Sequence, residues 1–327
     1  MTQLPGQPRQ YDVITFGDMC VDLVLTGQDV TPAFGQVEKL IGDYTLEMGG
    51  SCNIFACQCA RLGLRTAVLG RVGDDHFGRL IIDRLAGAGV DTRYVLVDPD
   101  RKTGIGVALC PPGDRAVLTF LGTINAVYPE DITDDILAST QHVHHGSFYL
   151  HTNLLPAIPD VFRHARGMGV STSLDTNWDP QNRWEGGLEE ILPYTNLFMP
   201  NDEEALRIYD RLSNQTLPQD YRQSSAQLLP LAARHFLDQG VACVTIKAGR
   251  EGAFLFTQEG SLHGALQPVT GGDSIGAGDS FDAGFLAGWL RGFGVEKCLA
   301  FGLACGRSVA ARAGGLAGQL TWKDVYP

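Results

Sequence analysis

The sequence predicts an α/β protein: a doubly wound, mostly parallel sheet with helices on both faces, together with a small β-sheet lid. Short β-branched runs alternate with longer amphipathic runs, which is typical of βαβ units and of a sheet covered on both sides. Two stretches, residues 36–50 and 104–122, look like strands and turns with no helix between their halves. We therefore expect one domain across residues 1–327, with the lid strands inside these two stretches.

The first βαβ unit is the clearest. Residues 11–17 (YDVITFG) predict a buried strand that ends at a glycine, and residues 53–63 predict a helix that stops at a glycine. Residues 65–73 (RTAVLGRVG) return to a strand. The same alternation recurs along the chain, in residues 78–97, 155–176 and 229–249.

The amino-acid composition of the chain limits the kinds of molecule that it is expected to bind. The formal net charge of −12 argues against a nucleic-acid or anionic-membrane partner, because both need basic patches. The first ten residues lack the apolar core of a signal peptide, and no run of about eighteen apolar residues occurs, so we expect a cytoplasmic protein. Among the eight cysteines, Cys57 and Cys59 are two apart and would not face each other on a helix, which favours buried thiols over a metal site.

The stretch GGDSIGAGDSFDAGF, residues 271–285, combines glycines and aspartates immediately before an apolar, helix-like segment. A Gly-Ala-Gly-Asp turn at a helix N-terminus exposes backbone N–H groups that favour an anion, and phosphate is the obvious candidate. Asp279 follows the glycines directly; taken alone, it could equally complement the helix dipole. The chain has no GxxxxGK[ST] string and no GxGxxG fingerprint after its first strand, so phosphate would bind by another arrangement.

Two long motifs carry a family resemblance. GAGDSFDAGF resembles the second signature of the ribokinase/PfkB-like carbohydrate kinases, and residues 49–78 (GGSCNIFACQCARLGLRTAVLGRVGDDHFG) resemble the first. PNDEE, TIKAGREGAF and ARAGG resemble intermediate and closing elements of the same family, so the resemblance covers the chain from Tyr11 onward. It implies the ribokinase-like fold with its lid, and ATP-dependent phosphorylation of a small sugar with Mg²⁺.

The resemblance also assigns the reacting groups. It makes Asp279 the general base for the acceptor hydroxyl, and it places the N–H groups of Gly276, Ala277 and Gly278 around the transferring phosphoryl group. Phosphoryl transfer needs positioning and charge neutralisation more than covalent help, so a turn of N–H donors beside one carboxylate is a sufficient minimal site.

Three further elements would serve the nucleotide and its ions. Asn201 and Glu204, three apart, would share a helix face and hold the water shell of Mg²⁺, although the same residues also suit an ordinary first helical turn. Lys247 would meet the nucleotide phosphates; a solvated lysine at a strand end is the alternative. Gly249 and Gly252 follow it in the same turn.

An ion site is implied in the glycine-rich stretch itself. Asp273 matches the position through which relatives bind an activating monovalent cation such as K⁺. Capping of the turn explains this aspartate equally well.

The acceptor sugar would be held by carboxylate and carboxamide groups, which together accept and donate hydrogen bonds to vicinal hydroxyls. The resemblance points to Asp22 at the end of the first strand, and to Gly49, Gly50 and Asn53 at the start of the first helix. Asp175 and Asn177 follow a later strand, at the edge where open α/β sheets bind ligands. His144 and His145 are expected to be merely packed.

Asp179 bears on the charge of the substrate. Related sugar-acid kinases often carry an arginine where this chain has Asp179, and a carboxylate there would repel a substrate carboxylate. We therefore expect a neutral sugar, a ketohexose or pentose, although Arg183 lies close enough in sequence to swing in. A nucleoside kinase, a 2-keto-3-deoxygluconate-type kinase and a non-catalytic sugar or nucleotide sensor remain alternatives.

The lid would close over the sugar, or form a homodimer interface.

Overall fold

The protein is described from a computed structural model that covers residues 9–112, 115–213, 221, 225–266, 269 and 274–326. The strands are β1 Tyr11–Gly17, β2 Cys20–Thr26, β3 Asp43–Gly49, β4 Thr66–Gly73, β5 Asp91–Asp98, β6 Gly104–Cys110, β7 Ala116–Phe120, β8 Thr140–His145, β9 Ser171–Leu174, β10 Leu197–Phe198, β11 Cys243–Lys247, β12 Ala253–Thr257 and β13 Gly260–Gly264. The helices are α1 Ser51–Arg61, α2 His76–Gly87, α3 Asp134–Ala138, α4 Ile158–Gly167, α5 Leu188–Ile191, α6 Asp202–Ser213, α7 Ser225–Asp238, α8 Ala277–Leu290, α9 Val295–Ala310 and α10 Trp322–Val325.

The strands form two sheets. The large sheet has the order β13-β12-β11-β10-β9-β8-β1-β4-β5, and every neighbouring pair from β11 to β5 is parallel. Only β12 and β13 add antiparallel pairs at one edge. The chain runs outward from β1 to β5 and then resumes on the other side at β8, so the strand order reverses between β1 and β8. The carboxyl ends of the strands at such a reversal form a natural ligand crevice.

Helices cover both faces of the large sheet, as the alternating pattern predicts. Consecutive side chains of a strand point to opposite faces. Val13 packs with Phe55 and Phe285 of α1 and α8 on one face, whereas Phe16 joins the cluster that includes Phe162 and Phe236 of α4 and α7 on the other. The predicted fold class is confirmed.

The small sheet forms the lid, with the order β3-β2-β6-β7. One detail of the sequence interpretation is wrong: Asp22 does not lie at the end of the first strand but inside β2, which belongs to the lid. Within residues 36–50 the lid strand is β3, whose pairing with β2 begins with Asp43 opposite Thr26.

A half-buried aspartate joins the lid to the large sheet. Asp75, the N-cap of α2, accepts hydrogen bonds from Gly78 N at 2.8 Å and from Thr103 N and Oγ1 at 2.8 Å each. Thr103 immediately precedes lid strand β6 and in turn accepts a bond from Gly73 N at 2.9 Å. None of the described helices is both long enough and apolar enough to cross a membrane.

We predict that Asp75→Ala lowers the free energy of unfolding by about 2–3 kcal/mol, because it removes a helix cap and leaves buried donors of Thr103 without an acceptor. Asp74→Ala is the matched control: its carboxylate makes an exposed ion pair with Arg79, so we expect a change within about 0.5 kcal/mol. Urea unfolding of the three proteins measures both values. Equal losses in the two variants would contradict this role of Asp75.

Candidate active site

One cleft runs between the lid and the carboxyl edge of the large sheet. Its walls include Thr26, Cys110 and Arg115 from the lid side, and Asp175 and Lys247 from the ends of β9 and β11. The first residues of α8 line the same cleft. The structure thus brings the glycine-rich turn, the sheet edge and the lid to one place.

The turn that begins α8 needs glycine at its first position. Gly276, the N-cap, has φ +71°, and a Cβ there would lie 2.7 Å from the Cα of Gly315 and 3.0 Å from Ile54. Ala277 N–H donates to Ser274 O at a long 3.4 Å. Within the described residues, the N–H groups of Gly278 and Asp279 have no acceptor. The helix therefore presents unsatisfied donors to the cleft, as an anion site requires.

Asp279 is half-buried at the start of α8 and lines the cleft. Burial and the nearby carboxylate of Asp175 raise its pKa to about 7, although the Lys247 ammonium opposes them. A carboxylate with a pKa close to neutral can take a proton at neutral pH and hold it. The position of Asp279 beside the donors of Gly278 is the one expected from the sequence.

Lys247 is an ion-paired lysine, not a solvated one. Its Nζ donates to Asp175 Oδ2 at 2.9 Å and to Asp282 Oδ2 at 3.0 Å. Burial lowers the pKa of Lys247, but the two carboxylates raise it by more, so the amine stays charged. A Cβ on Gly278 would lie 3.5 Å from this amine, which places the ammonium against the turn of α8.

Asn201 and Glu204 form a reciprocal cap at the start of α6. Asn201 N and Nδ2 donate to the Glu204 carboxylate at 3.0 and 2.7 Å, and Glu204 N donates to Asn201 Oδ1 at 2.9 Å. Both residues line the cleft, and burial with the charge of Asp175 raises the pKa of Glu204 to about 7. The two residues thus form the ordinary first helical turn that was the alternative to a metal site. Their carboxylate and amide oxygens also lie at the cleft wall and are of the kind that suits Mg²⁺.

The lid holds Asp22 over two glycines. A Cβ on Gly49 would lie 2.1 Å from Asp22 Oδ2, and a Cβ on Gly106 would lie 2.6 Å from Asp22 Oδ1. Only glycine at both positions leaves this space for the carboxylate. Asn53, by contrast, is fully buried, and its Nδ2 donates to Gly49 O at 2.8 Å, so it supports the β3–α1 turn from beneath.

The other residues expected to bind the acceptor sugar differ in how deeply they are buried. Gly50 has φ +88° and a Cβ there would meet Asp18 O at 2.7 Å, so this glycine shapes the turn. Asn177, with φ +55°, lines the cleft; its Oδ1 accepts from Tyr149 N at 3.2 Å. His144 and His145 are buried within the fold, as expected.

The other end of the cleft is lined by basic and glycine residues. Gly249 has φ +52°, and a Cβ on Gly252 would lie 2.0 Å from Gly264 O, so this turn also needs glycine. Arg250 and Arg307 line the same end. Asp273, the expected cation ligand, lies outside the described residues.

Asp179 has a task that the sequence interpretation missed. Its Oδ1 accepts from Gln181 N at 2.8 Å, and its Oδ2 accepts from Arg183 N and Trp184 N at 2.7 Å each. The side chain is buried and folds the loop after β9. The proposed repulsion between Asp179 and a substrate carboxylate therefore has no support in its contacts.

Asp18 and Asp282 were missed from the sequence. Asp18 caps α1, accepting from Ser51 N at 2.8 Å and Cys52 N at 3.1 Å, and its charge adds to those that raise the pKa of Asp279. A signal existed for Asp282, since it stands three residues after Asp279 and so shares its side of the helix. No sequence signal marked Asp18 as a cap for α1.

A doubly wound sheet with a lid, a cleft at the strand-order reversal and an anion-binding helix terminus defines a small-molecule α/β enzyme rather than a binding module for macromolecules. Residues 10–322 match the pfkB family carbohydrate kinase model. The ATP-dependent ribose-1-phosphate kinase of Halopiger xanaduensis is 31% identical over 307 residues, 92% of this chain and 93% of the relative. A 5-dehydro-2-deoxygluconokinase of Geobacillus thermodenitrificans is 27% identical over 314 residues, 93% and 89% of the two chains.

Solved structures agree. An E. coli structure described as Ribokinase II in complex with ATP and Mg²⁺ superposes with a TM-score of 0.80 at 25% identity, covering 96% of this chain and 97% of that one. The chain belongs to the pfkB family of carbohydrate kinases. It is an ATP-dependent carbohydrate kinase, which confirms the family and the activity expected from its two signatures.

We predict that Asp279→Asn makes the protein more stable than the wild type at pH 8, and that this advantage disappears near pH 4. The pKa of Asp279 is raised from 3.8 to about 7 in the folded chain, so its contribution to stability is complete below 3.8 and is lost as the pH rises through about 7. Urea unfolding at pH 4.5, 6 and 8 measures the difference. Asp83→Asn, on the exposed side of α2, is the control, and a pH-independent difference for Asp279→Asn would refute the raised pKa.

Proposed function

We propose that this kinase transfers the γ-phosphoryl group of ATP to a hydroxyl of a small neutral sugar, with Asp279 as general base. One observation carries the proposal: the Asp279 carboxylate lies directly beside the unsatisfied N–H donors of α8, in the cleft under the lid. A hydroxyl that reaches Asp279 then also lies next to an anion held by those donors.

The step follows from this arrangement. Asp279 takes the proton of the sugar hydroxyl while the hydroxyl oxygen forms the new bond to the γ-phosphorus. The bond between this phosphorus and the ADP oxygen breaks. The N–H groups of the turn from Gly276 to Asp279, of which those of Gly278 and Asp279 have no acceptor within the described residues, oppose the charge on the phosphoryl oxygens. The lid, with Asp22 over Gly49 and Gly106, holds the sugar and excludes water that would otherwise accept the phosphoryl group.

Mg²⁺ would neutralise charge on the nucleotide phosphates. The oxygens of Asn201 and Glu204 at the cleft wall fit a hard cation that keeps several of its waters. The E. coli relative with ATP and Mg²⁺ supports this. Lys247 and the Gly249–Gly252 turn would meet the nucleotide phosphates.

Three finer points complete the proposal. K⁺ would activate the enzyme through Asp273, on the strength of the family resemblance. The lid would form a homodimer, because its strands expose apolar side chains such as Tyr44, Leu118 and Phe120. The enzyme would act in the cytoplasm, since seven of its cysteines are buried thiols, as in a reducing compartment.

The neutral charge of the sugar is supported by the carboxylates of Asp175 and Asp279, which line the cleft. A sugar acid is the second candidate, because Arg115 of the lid lines the same cleft, where a guanidinium would suit a carboxylate. The relative from G. thermodenitrificans, a 5-dehydro-2-deoxygluconokinase, favours this candidate.

We predict that ADP release over a panel of ketohexoses, pentoses, nucleosides and sugar acids shows the highest kcat/KM for a neutral sugar, at least about tenfold above that for 2-keto-3-deoxygluconate. A tenfold ratio corresponds to about 1.4 kcal/mol of differential transition-state binding. A higher kcat/KM for a sugar acid would overturn the neutral assignment, and Arg115→Ala would then identify the group that holds its carboxylate.

On the best substrate, we expect Asp279→Asn to lower kcat by roughly 10²–10⁴, as loss of a general base does, with little change in the affinity for ATP. Asp83→Asn serves as the control. A kcat within about tenfold of wild type would remove Asp279 from the role of base.

We predict that Glu204→Gln raises the Mg²⁺ concentration needed for half-maximal rate by roughly threefold to tenfold, because the charge that orders metal-bound water is lost. Gln keeps the length of the side chain and part of the cap with Asn201, so the fold should persist. A Mg²⁺ titration at fixed ATP measures the effect, with Glu203→Gln on the same helix turn as the matched control. Superimposable titrations of Glu204→Gln and wild type would exclude Glu204 from metal binding.

A further inference from the structure

The two ion-pair partners of Lys247 differ in burial: the Asp175 side chain is 10% exposed and that of Asp282 is 0% exposed. This difference bears on how the site binds the nucleotide. We propose that Asp282 is a positioning residue that anchors the Lys247 ammonium at the turn of α8, and that Asp175 is the partner which this ammonium leaves when the γ-phosphate arrives. The proposal rests on the proposed function, because it deepens the part assigned to Lys247.

Asp282 is the partner that the ammonium cannot leave. Its side chain has no exposed surface, its Oδ1 has no hydrogen-bond partner among the described residues, and its Oδ2 accepts from Lys247 Nζ at 3.0 Å. Separation of this pair would leave a buried carboxylate without a compensating charge, which is strongly unfavourable. The ammonium therefore stays with Asp282 throughout.

Asp175 is the partner that can be exchanged. Its carboxylate lines the cleft, and its Oδ1 already accepts from Thr176 N at 2.9 Å. If the ammonium departs, Asp175 keeps this hydrogen bond, and its side chain, 10% exposed where that of Asp282 is 0% exposed, lines the cleft from which a water molecule can replace the ammonium. Loss of one charge-assisted bond is then largely compensated, in contrast to Asp282.

The Lys247 amine lies close to where the γ-phosphate would bind. A Cβ on Gly278 would lie 3.5 Å from Lys247 Nζ, so the ammonium already lies against the turn whose N–H groups await the phosphoryl group. A phosphate oxygen at that turn offers a stronger, doubly charged acceptor than the singly charged carboxylate of Asp175. Asp175 thus holds the ammonium only in the absence of nucleotide, and Asp282 fixes its place in both states.

The test compares the binding of AMP-PNP, which has a γ-phosphate group, with the binding of ADP, which has none, by calorimetry at saturating Mg²⁺. We expect Asp282→Asn to weaken AMP-PNP on the order of tenfold while ADP changes by less than about twofold, the size of one charge-assisted contact. Asp175→Asn should leave AMP-PNP binding equal to wild type or tighter, because the ammonium no longer has a competing acceptor. Asp83→Asn is the control for an aspartate remote from the cleft.

Weaker AMP-PNP binding in Asp282→Asn without any weakening in Asp175→Asn supports the proposal, since a merely structural role would weaken both ligands in both variants. Equal loss of ADP and AMP-PNP binding in Asp282→Asn, or a loss in Asp175→Asn like that in Asp282→Asn, would overturn it. Should Asp282→Asn fail to fold, the Asp175→Asn arm decides alone. Failure of the proposed function is distinct, because it would show as a wild-type protein that phosphorylates no sugar at all.

Discussion

One buried ammonium holds the carboxylate-rich part of the site together. Lys247 joins Asp175 at the end of β9 to Asp282 inside α8, so a strand edge and the helix that presents the phosphate turn are fixed to each other. Asp279 and Glu204 lie in the field of the same group, and like charges so close together cannot all ionise easily. Burial, together with the charge of Asp175, therefore raises the pKa of both carboxyls to about 7, although the Lys247 ammonium opposes this.

The second constraint is backbone space. The N-cap of α8 lies against the closing loop at Gly315 and against Ile54 of α1, so the turn cannot carry a side chain at Gly276. The lid has a similar steric limit, because a Cβ on Gly49 or Gly106 would clash with the Asp22 carboxylate. Contacts thus explain Gly49 of the first signature and Gly276 of the second, and the turn at Gly276 presents the unsatisfied donors of α8 to the cleft.

The alternating pattern predicted the large sheet well, because a buried strand such as β1 is marked by its own apolar run and by the glycine that ends it. The lid was harder, since β2 follows β1 after only two residues and enters a different sheet, which local patterns do not reveal. The residues of the phosphate turn could be proposed from sequence because they are contiguous. The pair of Lys247 and Asp282 could not, because 35 residues separate them and only the fold brings them together.

The sharpest test of this account is the pH dependence of kcat/KM for the sugar at saturating ATP. A general base whose pKa is raised to about 7 must lose its proton to act, so kcat/KM should rise with pH and level off above an apparent pKa near 7. This rise should persist in Glu204→Gln, which removes the other carboxyl with a similar pKa, and should vanish from the residual activity of Asp279→Asn. A wild-type profile that is flat between pH 5.5 and 8, or a rise that survives in Asp279→Asn, would contradict the central role of Asp279.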